Sequence, residues 1–172
     1  MTGAIAKVNA MDREAFVALL GPSYEHSPWA AERAFARKPF AHETALANAM
    51  AAAVDEASEA ERLVLIRAHP ELAGEKLRAR ALTASSMSEQ AGAGLDRLGA
   101  AEIEEWTKLN GVYRERFGFP FVICVRKHTK DEIVSAMKRR LERSREMELE
   151  EAISQIHQIA ELRQHDLLAG LA

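Results

Sequence analysis

One histidine stands where a helical pattern is interrupted. Residues 67–74 read Arg-Ala-His-Pro-Glu-Leu-Ala-Gly, with His69 directly before Pro70. Proline disfavours helical geometry in the residue that precedes it, but it is accepted at the first position of a new helix. We therefore expect His69 at a break between two helices, where its imidazole can project into a cleft and transfer protons near neutral pH. The alternative is a surface histidine that caps the next helix, and the residues alone favour that alternative.

A second group places a hydroxyl, a carboxylate and an amide within little more than one helical turn, at Ser86, Glu89 and Gln90. A carboxylate beside an amide can orient a polar heterocycle through hydrogen bonds. However, a serine followed three residues later by a glutamate is also the capping box that begins many helices. Taken alone, this group therefore predicts a helix start and no site.

The third group is apolar, since residues 117–126 read Phe-Gly-Phe-Pro-Phe-Val-Ile-Cys-Val-Arg. Aromatic and β-branched residues after a Gly-Phe-Pro breaker predict a strand over residues 119–125. Such a segment can line a pocket and offer backbone N–H and C=O groups to a ligand. The alternative is plain core. Cys124, the only cysteine, lies inside this run, which favours a buried structural thiol over a nucleophile.

Two rival functions use other features of the chain. His157, Glu161 and His165 fall at four-residue steps on one face of a predicted helix, a spacing that can bind a divalent ion. This set supports a metal-dependent hydrolase, although solvated positions opposite an isoleucine stripe are the favoured interpretation. The other rival is a non-enzymatic helical interaction module, in which the three groups above are only caps and core.

Helical patterns surround these residues almost throughout the chain. Good helix formers, apolar spacing and capping boxes at Ser58 and Thr129 indicate the helices. The predicted helical segments are residues 44–57, 95–117, 133–145 and 149–168, with an irregular step beside Gly99. A further helix opens with the capping box at Ser58, carries the apolar run 63–66 and stops at His69-Pro70. Residues 21–39 are expected to form a surface loop with short turns. The prediction is a single all-α domain, residues 1–172, in a compact bundle of about seven to nine helices.

The composition is that of a folded protein with balanced charge. The chain has 172 residues, 48% hydrophobic and 28% charged, with a net charge of −3 that argues against nucleic-acid binding through bulk charge. The alanine-rich stretch 45–54 is about half as long as a membrane span needs. Residues 1–16 lack the pattern of a signal peptide. We expect a cytoplasmic protein that binds neither nucleic acid nor membrane.

The three groups together, in this order and spacing, resemble one family: the 2-oxo-4-hydroxy-4-carboxy-5-ureidoimidazoline (OHCU) decarboxylases of urate breakdown. The resemblance extends from Asn-Ala-Met-Asp-Arg-Glu-Ala-Phe at residues 9–16 to Ala-Glu-Leu-Arg at residues 160–163. It implies an all-helical fold, usually a homodimer, that needs no metal or organic cofactor. It also implies a small-molecule substrate, the ureidoimidazoline, which loses CO2 and is protonated stereospecifically to (S)-allantoin.

The resemblance also implies roles for particular residues. His69 is then the catalytic acid or base, Pro70 contacts the substrate beside it, and Arg163 is the family's C-terminal arginine near the site. The residues that hold the ring and ureido groups are Ser86, Glu89 and Gln90, and Glu89 is also catalytic. Backbone contacts come from Phe121, Val122, Ile123, Cys124 and Val125. The pair Cys124-Val125 departs from the small residues common there, without an expected functional consequence.

These interpretations differ in which residues must meet. The enzyme requires His69, Glu89 and residues 121–125 to converge on one cleft. The interaction module lets them scatter, whereas the hydrolase needs His157, Glu161 and His165 to converge instead.

Overall fold

The fold is all-α, as predicted. The computed structural model describes residues 3–171, which contain no strand. The helices are α1 (Gly3–Ala10), α2 (Arg13–Leu20), α3 (Trp29–Phe35), α4 (Glu43–Asp55), α5 (Glu59–Ala68), α6 (Glu75–Arg78), α7 (Ala84–Gly92), α8 (Ala100–Phe117), α9 (Lys130–Arg140) and α10 (Arg145–Ala169). Short 3₁₀ turns lie at Gly21–Ser23, Leu95–Arg97 and Val125–Lys127. Nine of these α-helices have at least seven residues, in agreement with the predicted number, and α6 is a single turn.

The described chain divides into two compact units. The terminal unit comprises residues 3–68 and 157–171, and the central unit comprises residues 69–156. Every segment of the three sequence groups from His69 to Val125 belongs to the central unit, whereas Arg163 belongs to the terminal unit.

The core of the terminal unit is built from the apolar faces of its helices. Its fully buried large side chains include Ile5, Phe16, Leu20, Leu46, Met50, Leu65 and Ile66. Helix α3 packs against both α2 and α4, and its Ala30, Ala31 and Ala34 are fully buried. Small side chains on α3 let the neighbouring helices approach closely, which is favourable for dense packing.

An aromatic cluster forms the core of the central unit. The ring centroid of Tyr113 lies 4.6 Å from that of Phe117, 6.3 Å from that of Phe119 and 5.2 Å from that of Phe121. Helix α8 ends at Phe117 and is capped by Gly118, whose φ of 79° lies in the left-handed region that glycine adopts without strain. This turn lets Phe117 and Phe119, on either side of the glycine, both pack into the cluster.

Several predicted boundaries differ from the structure. The irregular step beside Gly99 is a true break, since α8 begins at Ala100. Helix α9 ends at Arg140, not near residue 145, because Ser144 begins the next helix by accepting a hydrogen bond from the N–H of Met147. The loop predicted over residues 21–39 contains α3, whose alanine-rich sequence follows Pro28 and favours a helix.

The predicted strand over residues 119–125 is wrong. This segment is irregular and leads into the 3₁₀ turn Val125–Lys127. A strand needs a partner strand to pair its backbone groups, and residues 3–171 offer none. Side chains bind the backbone instead: Arg140 donates to the carbonyl of Val122 at 2.9 Å, and Cys124 N–H donates to Oε1 of Gln155 at 2.9 Å.

Candidate functional site

His69 lies at a helix break, as its sequence context predicts. Helix α5 ends at Ala68, and α6 begins only at Glu75. His69 is 7% exposed. The alternative of a surface histidine is therefore wrong, because a residue that caps a helix at the surface keeps more contact with solvent.

Side chains of two helices hold the turn that follows His69. In α7, Oε1 of Gln90 accepts the N–H of Ala73 at 2.9 Å. In α8, Nδ2 of Asn110 donates to the carbonyl of Leu72 at 2.8 Å, and both bonds are buried. Buried polar groups of this kind are costly to leave unpaired, by about 1–3 kcal/mol each. Residues 69–74 are thus bound to α7 and α8 by contacts that are expensive to break.

The backbone at the end of this turn has two special requirements. Ala73 has a φ of 52°, in the left-handed region, where a residue with a Cβ is destabilised by roughly 1–2 kcal/mol. Its N–H is the donor to Gln90, so the buried bond stabilises a strained residue. At Gly74, an added Cβ would lie 3.1 Å from both Cβ and the carbonyl oxygen of Glu71. Only glycine at position 74 lets Glu71 lie this close without being displaced.

Helix α7 begins one turn earlier than the capping box at Ser86 predicts. Its N-cap is Thr83, whose Oγ1 accepts the N–H of Ser86 at 3.3 Å. Ser86 is therefore the third residue of the helix, and Glu89 cannot reach back to a helix start. The capping interpretation of Ser86 and Glu89 is wrong, because the chain offers a hydroxyl one turn earlier, and the first helical residues Ala84 and Ser85 are compatible with that start. Glu89 therefore has no capping role at the start of α7.

Helix α7 places the second sequence group, Ser86, Glu89 and Gln90, beside the third group, residues 117–126. The helix packs against the 3₁₀ turn Val125–Lys127. Ser86 and Gln90, four residues apart on one face, are 4% and 2% exposed, whereas Glu89 is half-buried. Burial is the main cause that raises the pKa of the Cys124 thiol; Lys127 lowers it, and the negative charge of Glu89 raises it further. Glu89 is therefore close enough to Cys124 to act on its thiol electrostatically.

These contacts bring the three groups of the central unit together. Gln90 binds the turn after His69, while its helix faces the irregular segment that contains Cys124. The residues of that segment, Phe121, Val122, Ile123, Cys124 and Val125, are each at most 5% exposed. The burial of Cys124 and its raised pKa agree with the interpretation of an inert structural thiol. In the interaction-module alternative these residues are only helix caps and core, and they need not converge. The geometry therefore favours the enzyme interpretation.

Arg163 is also buried, at 5% exposed, and is therefore not a solvated helix residue. Its Nη1 donates to Oε2 of Glu25 at 2.8 Å, and Glu25 is 3% exposed. Both residues belong to the terminal unit. An arginine and a carboxylate that are both buried must neutralise each other, since an isolated buried charge is strongly unfavourable.

The residues of the hydrolase alternative are engaged elsewhere. His157 uses both ring nitrogens: Nδ1 lies 2.9 Å from the hydroxyl of Tyr24, and Nε2 lies 2.9 Å from Oδ1 of Asp55. His165 lies 3.4 Å from Oε2 of Glu43 at an exposed position. Within residues 3–171, no three His, Cys, Asp or Glu side chains form a group that could hold a metal ion. The geometry gives the hydrolase alternative no support.

Sequence reasoning missed the polar residues that hold the three groups in place, namely Asn110, Arg140 and Gln155. One signal was available for Asn110. It lies four residues after Trp106 and three before Tyr113, on the apolar stripe of α8, and all three are buried. An amide on an apolar stripe requires a buried hydrogen-bond partner, which here is the carbonyl of Leu72. Arg140 and Gln155 carry no comparable signal.

No helix within residues 3–171 combines the length and the apolar character needed to cross a membrane.

The family model described as OHCU decarboxylase matches residues 9–165. Over 159 residues the chain is 45% identical to the 2-oxo-4-hydroxy-4-carboxy-5-ureidoimidazoline decarboxylase of Haloferax volcanii, with 92% of each chain covered. It is 37% identical over 162 residues to the decarboxylase of that name from Amia calva, covering 94% of this chain and 93% of the relative.

Two solved structures are similar. The crystal structure of an (S)-allantoin synthase matches with a TM-score of 0.74 and 30% identity, over 95% of this chain and 53% of the other. An OHCU decarboxylase crystallised in the presence of (S)-allantoin matches with a TM-score of 0.69 over 92% of this chain and 99% of the other. Its 22% identity makes that second match a likeness of fold alone. With a family model over residues 9–165 and relatives of 37–45% identity, this chain belongs to the OHCU decarboxylase family.

Proposed function

We propose that His69 and Glu89 carry out the reaction of this chain, the decarboxylation of OHCU to (S)-allantoin and CO2 in urate degradation. The observation that carries the proposal is the buried hydrogen bond from the N–H of Ala73 to Gln90. It joins the turn of His69 to the helix of Glu89, and that helix packs against the turn Val125–Lys127. A proton-transfer group, a carboxylate and a set of backbone groups are thereby brought to one part of the central unit.

The reaction needs a place for two electrons and a source for one proton. When the bond between the substrate carbon and its carboxylate breaks, CO2 leaves and the electron pair stays on the carbon. The adjoining imine-like ring can accept that electron density without a bound cofactor. The electron pair forms a double bond to the neighbouring, ureido-bearing carbon, and the C=N pair moves onto the ring nitrogen. A ring nitrogen of His69 then donates a proton to one face of that ureido-bearing carbon, while the hydroxyl on the carbon that lost CO2 becomes the carbonyl and its proton passes through solvent to the ring nitrogen. A proton from solvent restores the imidazole. Positioned proton transfer of this kind typically contributes about 10² to 10⁴ in rate.

Glu89 serves the bond-breaking step. Its charge, beside the substrate carboxylate, destabilises the bound anion and so favours loss of CO2. Its oxygens also accept hydrogen bonds from a hydroxyl or N–H of the substrate and orient it. Both effects require the ionised side chain, since a neutral amide supplies neither the charge nor two acceptor oxygens.

The remaining contacts orient the ring and the ureido group. Oε1 of Gln90 accepts the N–H of Ala73, so the Nε2 group is the part of this side chain that donates to the substrate. Ser86 lies one turn before Gln90 on the same buried face of α7. Pro70 contacts the substrate beside His69, and residues 121–125 offer backbone groups.

We propose Arg163 as a further substrate contact, held by Glu25. Lysine cannot reproduce the planar, two-pronged donor geometry of a guanidinium. We therefore expect Arg163→Lys to lower kcat/KM about tenfold or more, measured by steady-state kinetics. Arg145→Lys, an exposed position on the same helix, is the matched control. Unchanged kinetics in a folded Arg163→Lys protein would leave Arg163 with a structural role only.

The activity is tested by mixing the purified protein with freshly generated OHCU and following allantoin by circular dichroism. Water protonates both faces of the reactive carbon, so the spontaneous reaction gives no net signal, whereas enzymatic product is chiral. Because His69 and Glu89 suffice for the chemistry, we expect EDTA to leave the rate unchanged. Turnover that is lost in EDTA and restored by zinc or manganese would favour the hydrolase alternative and direct attention to His157, Glu161 and His165.

We further propose that residues 1–172 act as one functional domain, as a homodimer in the cytoplasm. A family model that matches one range, residues 9–165, supports the single domain. The family resemblance supports the dimer. The single cysteine is buried and free, and a chain without an internal disulfide is compatible with the reducing cytoplasm. Sedimentation equilibrium tests the dimer, which predicts twice the chain mass of 19.0 kDa.

A further inference from the structure

A buried ionic network lies behind the irregular segment of the central unit. Nε of Arg140 in α9 donates to Oε2 of Glu148 in α10 at 2.8 Å, with the two side chains 4% and 0% exposed. The hydroxyl of Tyr113 in α8 donates to the same carboxylate oxygen. Burial is the main cause that raises the pKa of Tyr113, so this tyrosine keeps its proton. The three side chains join three helices at one carboxylate.

Arg140 connects this network to the backbone of residues 121–125. Its Nη1 donates to the carbonyl of Val122 at 2.9 Å, and its guanidinium carbon lies 4.5 Å from the centre of the Phe121 ring. One side chain thus makes a charge-assisted hydrogen bond and a cation–π contact to consecutive residues. Both contacts fix the direction in which this part of the segment runs.

A second side chain holds the segment two residues further on. Oε1 of Gln155 accepts the N–H of Cys124 at 2.9 Å, and Nε2 of Gln155 donates to Glu151 at 2.9 Å. Glu151 in turn accepts from Arg143 at 3.0 Å. The irregular segment therefore has two side-chain anchors, one on the carbonyl of Val122 and one on the N–H of Cys124.

Stability alone is a poor reason for this arrangement. Two ions lose their hydration on burial, and a well-packed apolar pair of similar volume is often as stable or more so. What an apolar pair cannot do is direct a hydrogen bond to one carbonyl. The segment makes no ladder with a strand, so its backbone direction depends on such side-chain donors.

We propose that Arg140 is a positioning residue: held by Glu148 and Tyr113, and aided by Gln155, it sets the backbone of residues 121–125 at the geometry that binds the substrate. The substrate contact of this segment rests on the proposed function. The anchoring itself does not, and it is measured separately below. Arg140 touches no reacting atom in this proposal and acts only through the segment.

Cys124, the only cysteine of the chain, is a built-in probe of the segment. It is 1% exposed, so a thiol reagent such as DTNB reacts only when the segment leaves its place. The test variant is Arg140→Met with Glu148→Gln, which removes both charges, keeps packing on Phe121 and leaves an acceptor for Tyr113. Lys138→Met, an exposed position on the same helix, is the matched control.

We expect the double variant to melt within a few degrees of the wild type, to react with DTNB about tenfold faster, and to show a KM for OHCU about tenfold higher. A lost hydrogen bond of ordinary strength corresponds to about such a factor. Lys138→Met should change neither quantity. Gln155→Met, which removes no charge, should shift both in the same direction and serves if the double variant does not fold.

Two results would overturn the proposal. The first is a folded variant in which labelling of Cys124 and KM both stay at wild-type values. The second is faster labelling that follows global unfolding, with the melting temperature lowered in proportion and KM unchanged. If the wild type does not turn over OHCU, the proposed function fails, while the labelling rates still decide whether Arg140 anchors the segment.

Discussion

Replacing His69 by alanine is expected to abolish most turnover while the protein still folds. Without a proton donor at the reactive carbon, the rate should fall on the order of 10²-fold or more. His69 is 7% exposed, so truncation of its side chain should cost about 1–2 kcal/mol of stability, which lowers the melting temperature by a few degrees. Circular dichroism measures both quantities, as the formation of (S)-allantoin and as the thermal transition.

Two further measurements separate proton transfer from packing. Added imidazole should restore part of the activity of His69→Ala, because it can enter the space left by the side chain and donate the proton. His69→Asn fills more of that space without supplying a proton donor of suitable pKa, and should remain inactive. His165→Ala, at an exposed position, should behave as the wild type. Full activity in a folded His69→Ala protein would remove His69 from the mechanism.

Glu89→Gln should retain stability and lose activity. In the structure the N-cap of α7 is Thr83, so Glu89 makes no contribution to the helix start and glutamine should be tolerated. We expect a melting temperature within a few degrees of the wild type. Loss of the negative charge and of one acceptor oxygen should lower kcat about 10²-fold, since one electrostatic contact in an active site is typically worth 10²–10³.

The charge of Glu89 also has a readout that does not involve turnover. Because this carboxylate raises the pKa of the Cys124 thiol, Glu89→Gln should lower that pKa, as measured by thiolate absorbance against pH. Glu115→Gln, an exposed position in the same unit, makes the same charge change and should leave the pKa and kcat unchanged. If Glu89→Gln turns over OHCU at the wild-type rate, the binding role passes to Gln90 and the backbone.

The features that the sequence predicts well are those decided by neighbouring residues. Apolar spacing and helix propensity act over one or two turns, so the all-α class follows from the chain alone. The break at His69 follows from Pro70, because the steric clash lies between adjacent residues. The capping boxes of Ser58 with Glu61 and of Thr129 with Glu132 are equally local, and both form.

The errors arise where a local pattern has two solutions. Ser86 with Glu89 matches a capping box, but Thr83 offers a competing hydroxyl one turn earlier, and only the folded chain decides between them. Residues 119–125 have strand-forming side chains, but a strand also needs a partner, and the described part of the chain provides side-chain anchors instead.

By itself, the sequence determined that the chain is helical, that His69 stands at a break, and which three groups match the OHCU decarboxylases. Only the tertiary structure decided that His69 and Arg163 are buried, that Gln90 joins the turn of His69 to α7, and that Arg140 holds the carbonyl of Val122. The physical reason is distance along the chain. Burial and hydrogen bonds between residues 17 or 18 positions apart depend on how helices pack, which no local pattern encodes.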